Sequence, residues 1–213
     1  MKRLRIRCSA LGNIMTAPTA AAAKAGEILS VGAKTYLRKL AREDILGIQP
    51  VITSRPMEKG IRLEGEAIML YNAVFGTAHV KNTERKTDDY LTGECDIAAP
   101  MIVDTKCPWS VETFPICAVD AENPLYEWQG RGYMRLWGAE SFRVAYCLLD
   151  TPDDLIGYEN PVAHKVSHID DRYRVTVIDY PRDAEKEALI LAKVDAANAY
   201  YAEVIAEFDR THK

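Results

Sequence analysis

The sequence predicts a mixed α/β fold: a central mixed β-sheet with an antiparallel meander, flanked by helices. Three observations predict it. Short β-rich runs bounded by turn residues alternate with longer stretches whose apolar residues recur at helical spacing. The chain has 213 residues, 48% hydrophobic and 27% charged, an ordinary composition for a folded globule of that length. No internal repeat, linker or low-complexity segment divides it, so residues 1–213 are expected to form one domain.

Residues 1–17 alternate basic and apolar side chains, which suits a short strand or extended arm before Thr16-Ala17-Pro18. Helices are expected over Thr19–Leu29 and, after a Ser30 cap, over Val31–Leu46, ending at Gly47. The second has an apolar stripe (Leu37, Leu40, Ala41, Ile45) and a basic face (Lys34, Arg38, Lys39, Arg42). Gln49–Pro56 reads as a loop. From Lys59 a helix follows, with apolar positions 61, 67, 68, 71, 74 and 75 on one face and Glu64 on that same face. Ala78–Glu84 is the next expected strand, turning through Lys86–Asp89 into a hairpin and so completing a three-stranded meander.

The hairpin pairs Leu91–Ile97 with Met101–Cys107 across Ala98-Ala99-Pro100. Val111–Asn123 is a loop. Leu125–Trp137 is a helix that places Gln129 and Tyr133 on one stripe. Gly130 and Gly132 weaken that helix, which close approach of a backbone or a ligand would explain. Phe142–Leu149 reads as a buried strand, Asp153–Ile169 as irregular, Tyr173–Tyr180 as a strand, and Asp183–Asp209 as a long closing helix.

Net charge is −4, which argues against a simple basic nucleic-acid-binding module but allows basic groups gathered on one face. No apolar run reaches the length of a membrane span, and no signal-peptide core follows the basic residues 1–7. Cys8, Cys95, Cys107, Cys117 and Cys147 are odd in number and lack a C-x-x-C pair, so reduced thiols in a cytoplasmic protein are expected.

The hairpin carries the chemistry. With its turn centred on Pro100, Asp96 lies opposite Asp104, and Lys106 shares the Asp104 face of its strand. Two carboxylates and an ammonium on one patch repel or lose water, at a cost a bound divalent cation would remove. Oxygen ligands in this number suit Mg²⁺. The competing reading of Asp104 and Lys106 is an exposed strand ion pair, worth little.

This patch resembles the metal core of the PD-(D/E)XK nuclease superfamily, which implies a restriction-endonuclease-like fold. Four motifs in order narrow the resemblance: Gly60-Ile61-Arg62-Leu63-Glu64, Gly93-Glu94-Cys95-Asp96, Asp104-Thr105-Lys106, and Trp128-Gln129 with Tyr133. Over about residues 58–150 the chain is similar to the phage exonucleases related to lambda exonuclease, also called YqaJ-type viral recombinases. The third motif has Asp where Glu is usual in this branch. The family's arginine before a Leu-Gly is missing at Leu11-Gly12, leaving Arg5, Arg7, Ser9 or Thr16 to grip a 5′-phosphate.

The resemblance implies that Asp96, Asp104, the Thr105 carbonyl and Glu64 hold one or two Mg²⁺, with Mn²⁺ substituting. Lys106 would orient or deprotonate the attacking water, its pKa lowered by burial beside the cation, and Gln129 would position that water or the lysine. Tyr133 and Arg131 are the residues expected to meet DNA, with Arg135 a further phosphate candidate. The implied activity is Mg²⁺-dependent 5′ to 3′ digestion of one strand of linear double-stranded DNA, leaving a 3′ overhang for a phage single-strand annealing protein. A ring-shaped homotrimer acting in the cytoplasm of a bacterial host is implied with it. A restriction or repair endonuclease on the same metal core, or a non-catalytic DNA-end-binding protein, remains open.

Overall fold

A computed structural model describes residues 3–51 and 53–212. Their strands form two mixed three-stranded sheets. In the first, β1 (Ile6–Arg7) runs parallel to β3 (Leu91–Gly93), and β2 (Lys86–Thr87) pairs antiparallel with β3. In the second, β4 (Ile102–Lys106) is parallel to β5 (Ser141–Cys147), which is antiparallel to β6 (Val175–Pro181). Parallel neighbours need a crossover connection, and the helix α5 (Pro124–Trp137) supplies it between β4 and β5.

The other helices are α1 (Gly12–Met15), α2 (Ala20–Lys24), α3 (Val31–Leu46), α4 (Arg55–Phe75), α6 (Asp153–Ile156) and α7 (Ala184–Thr211). Side-chain oxygens cap the long ones: Ser30 accepts from the Ala33 N–H, Ser54 from Met57, Asn123 from Leu125, and Asp183 from Glu185 and Lys186. None of the described helices is long and apolar enough to cross a membrane.

Alternation along β4 and β5 divides the interior in two. Ile102, Phe142, Val144 and Tyr146 face the larger core, packed with Tyr133 and Met134 of α5 and Ile190, Val194 and Ala197 of α7. Val103, Ala145 and Cys147 face the smaller core under α4, against Leu63, Ala67, Ile68 and Tyr71. The second sheet is therefore sandwiched between α4 and α5. That sandwich positions the site, because successive residues of β4 reach opposite helices.

Several expectations change in detail. The helix expected over Thr19–Leu29 shrinks to α2, because Gly26 adopts a left-handed conformation (φ 85°) that ends it. Helix α4 starts at Arg55, inside the expected loop, since Pro56 is tolerated in a first turn capped by Ser54. Residues 78–84 form no ladder, so the meander is reduced to β2 and β3, with β1 added in parallel. The expected hairpin survives as one antiparallel bridge, Ile97 to Val103, because its two arms belong to different sheets. The glycines of α5 make room for side chains rather than a ligand: a Cβ on Gly130 would lie 1.9 Å from Phe142 ring carbons, and one on Gly132 2.9 Å from Cys8 Sγ. All five cysteines are free thiols, three of them buried.

Candidate metal-dependent active site

The bridge between Ile97 and Val103 keeps the register that puts Asp96 across from Asp104. From there the strand's alternation sorts the side chains. Asp104 and Lys106 project toward α5, where Gln129 meets both: its Nε2 donates to Asp104 Oδ1 at 3.2 Å, and its Oε1 accepts from Lys106 Nζ at 3.4 Å. Gln129 Nε2 also donates to the Tyr133 hydroxyl at 2.9 Å, so the amide is fixed from three sides. Lys106 Nζ forms a close ion pair with Asp104 Oδ2. The Tyr126 ring lies 4.5 Å from the same ammonium, a cation–π contact one helical turn before Gln129.

Thr105 points the other way, toward Asp96. Asp96 Oδ2 accepts from the Thr105 main-chain N–H at 2.6 Å and from its hydroxyl at 2.7 Å. Even so, burial and the nearby Asp104 charge push the Asp96 carboxyl up to about 8, with Glu64 adding to the rise. Without a cation, burial works to lower Lys106, but the Asp104 carboxylate outweighs burial and holds it above its ordinary value.

Glu64 lines the same cleft but is half-buried and paired with Lys81 at 2.7 Å. The α4 face differs from the expected one: Ile61 is 68% exposed, whereas Leu63 and Leu70 are buried against the sheet. Glu66 is exposed.

Arg131 and Tyr133 are both buried, Tyr133 as part of the cleft lining. Arg131 is 4% exposed, bonded to Glu127 at 2.6 Å and to the Pro181 carbonyl at 3.3 Å. Glu127 also takes Lys186 of α7 at 2.5 Å, so Arg131 belongs to a helix–helix clamp. Tyr133 is buried with its hydroxyl spent on Gln129, and its ring packs on Trp137 and Phe142. Arg135 is committed to Asp88 at 2.8 Å and overlies Tyr90. Of the phosphate-grip candidates, Ser9 lines the cleft, while the Thr16 hydroxyl is bonded to Ser30 at 2.6 Å.

These groups form the floor of an open cleft of about 1340 Å³. Its lining carries six acids (Glu64, Asp96, Asp104, Glu112, Asp120 and Glu122) and a single base, Lys106. Such a cleft repels phosphate unless cations offset it. Asp104 Oδ2 is buried with the Lys106 ammonium as its partner, and the Asp96 carboxyl resists ionising beside it. Both features suit a cation. No three acid, cysteine or histidine side chains converge on one point among the described residues. Asp96 and Asp104 are the two carboxylates at the cleft floor, and one or two carboxylates, completed by water and phosphate, are what Mg²⁺ usually takes from a protein.

Sequence reasoning missed Tyr126 and Lys81. The Tyr126 signal was present, since its three-residue spacing to Gln129 puts both on one helical face. Lys81 lies in an irregular segment whose path only tertiary structure reveals.

Among solved structures, a phage-related exonuclease from Haemophilus somnus 129PT superposes with a TM-score of 0.90, at 34% identity over 97% of both chains. The chain belongs to the phage exonuclease family related to lambda exonuclease. An alkaline exonuclease from Laribacter hongkongensis shares the fold of this family member at 17% identity, with a TM-score of 0.68 over 99% of this chain and 94% of that one. The same Laribacter enzyme has been solved in complex with dAMP, matching with a TM-score of 0.62 at 18% identity over 97% of this chain and 91% of that one. No family model and no curated protein matches the sequence. The mixed α/β, nuclease-like architecture expected from the sequence is the fold these exonucleases share with this chain.

Proposed function

We propose that this phage exonuclease family member hydrolyses one strand of linear double-stranded DNA from its 5′ end, with Mg²⁺ or Mn²⁺, in a single domain spanning residues 1–213. The observation that carries the reading is the linked set Asp104, Lys106 and Gln129, with Asp96 anchored beside it on Thr105, on the floor of an acid-lined cleft. Asp96, Asp104 and the Thr105 carbonyl would hold the cation, with Glu64 entering once freed from Lys81. When bound, the cation supplies neutralisation of charge on the scissile phosphate and a lowered pKa for water.

The chain's own groups do the rest. Lys106, paired with Asp104 and facing the cleft, would orient the attacking water and a phosphate oxygen by donating hydrogen bonds. Gln129 fixes Asp104 and Lys106 relative to each other, and the Tyr126 ring limits where the ammonium can move. The dAMP bound by the Laribacter relative makes a nucleoside monophosphate the natural product to look for here.

By family resemblance the product would be a 3′ overhang passed to a phage single-strand annealing protein, and the working form a homotrimer around DNA in the host cytoplasm. A duplex labelled at one 5′ end tests the polarity. Early release of labelled mononucleotide is expected, whereas early release from a 3′ label would overturn the 5′ to 3′ assignment.

A further inference from the structure

Behind the cleft lies a buried ammonium with no part in the chemistry above. Lys59, in the second turn of α4, is 0% exposed and among the largest fully buried side chains of the described residues. Its Nζ donates to the carbonyls of Pro108 at 2.6 Å, Leu149 at 2.8 Å and Trp109 at 3.2 Å. Three bonds exhaust what an ammonium can give, and none goes to a carboxylate. Burying a charge on main-chain partners alone is expensive. Burial accordingly pulls the Lys59 ammonium down to about 8. An apolar residue of similar size would fill the space without that cost.

What the lysine does is tie three segments together. Pro108 and Trp109 follow Lys106 by two and three residues at the exit of β4. Leu149 lies just past the end of β5, and Lys59 itself precedes Glu64 by five residues on α4. The Trp109 carbonyl also accepts from the Thr151 hydroxyl at 2.9 Å and has His164 Nδ1 at 3.1 Å. The Trp109 indole N–H donates to Glu159 at 2.8 Å, which is held in turn by Arg55 of α4 at 2.6 Å. The strand exit that delivers Lys106 is thus gripped at backbone and side chain from both α4 and the segment after β5.

We propose that Lys59 is a positioning residue: it ties the exit of β4 to α4, and so fixes the placement of Thr105 and Lys106, through the carbonyls of Pro108, Trp109 and Leu149. This rests on the nuclease reading of the Lys106 site. Lys59 is fully buried with its three donors on main-chain carbonyls, so its loss acts on turnover and not on substrate capture.

The test measures kcat and KM on linear duplex DNA with 5′-phosphate ends and Mg²⁺, corrected for the folded fraction. Lys59→Met is expected to lower kcat about 10- to 100-fold, the scale of an ångström-sized misplacement, with KM within about twofold of wild type. Lys59→Gln, which keeps two N–H donors without the charge, is expected to recover part of that loss. Thr151→Val, which removes one donor from the Trp109 carbonyl, is expected to lower kcat severalfold. Should Lys59→Met fail to fold, the Gln and Val variants decide. Wild-type kcat in the folded variants, with only a lower Tm, would overturn the positioning role and leave Lys59 a purely structural tie. Absence of cleavage by the wild-type protein itself would overturn the nuclease reading and this role with it.

Discussion

The Asp96 carboxylate is anchored by Thr105 through two short hydrogen bonds to one oxygen, Oδ2, from the main-chain N–H and the hydroxyl. It is aimed by its neighbour while its other oxygen takes no hydrogen bond from the described residues. Burial and Asp104 nevertheless raise it to about 8, well above the usual value of about 3.9 for an unfolded chain. The folded state therefore holds this proton more tightly than the unfolded state, and its contribution to stability falls as pH rises between those two values.

That sign gives a measurable outcome. In metal-free protein, the difference in Tm between wild type and Asp96→Asn should move in favour of the Asn variant as pH rises from 5 to 8.5, because Asn accepts from Thr105 without a charge. Mg²⁺ should raise the wild-type Tm more at pH 8.5 than at pH 5, and should do little for Asp96→Asn. Equal Mg²⁺ shifts at both pH values would show that Asp96 does not meet the cation.

Asp104→Asn and Lys106→Ala should each reduce cleavage by roughly 10³-fold or more, the order of loss when a group that stabilises developing charge is removed. Both proteins should still fold. The Asn variant keeps its bond with Gln129 and relieves the repulsion of Asp96. Circular dichroism matching wild type alongside lost cleavage is the expected pair of results, and retained cleavage in both variants would remove the site assignment.

Gln129→Ala frees both the Asp104 carboxylate and the Lys106 ammonium on their α5 side. A loss of about 10- to 100-fold in kcat is expected, the usual scale for a residue that orients metal ligands. A rise in KM with unchanged kcat would instead make Gln129 a DNA contact.

Gly130→Ala places a methyl where the Phe142 ring lies. Overpacking of this kind costs about 1–3 kcal/mol. Urea unfolding should show a lower midpoint with an unchanged slope, and wild-type stability would mean that α5 can lift off the sheet without cost.

Much of this was legible in the sequence where the signal is local. Ser30 and Gly47 bound α3, and the turn at Pro100 set the register that pairs Asp96 with Asp104. Gln129 follows from its place on one stripe with Tyr133. What was not legible depends on distant partners. Arg131 looks like a free cation until Glu127, Lys186 and the Pro181 carbonyl enclose it. Ile61 fits the apolar face by spacing but faces the open cleft, because the sheet covers only the Leu63 side of α4. The contact with Asp104, which in the absence of a cation outweighs the burial of Lys106, likewise has no local signal.

The central claim is that the cleft floor hydrolyses DNA from an end. The most direct measurement incubates wild type and Asp104→Asn with Mg²⁺ and two DNAs, a linear duplex bearing 5′-phosphates and a covalently closed circle. Loss of the linear duplex by wild type alone, with the circle intact, is the expected result. Cutting of the circle would mean an endonuclease on the same metal core, and no cleavage with either Mg²⁺ or Mn²⁺ would contradict the assignment of catalysis to this cleft.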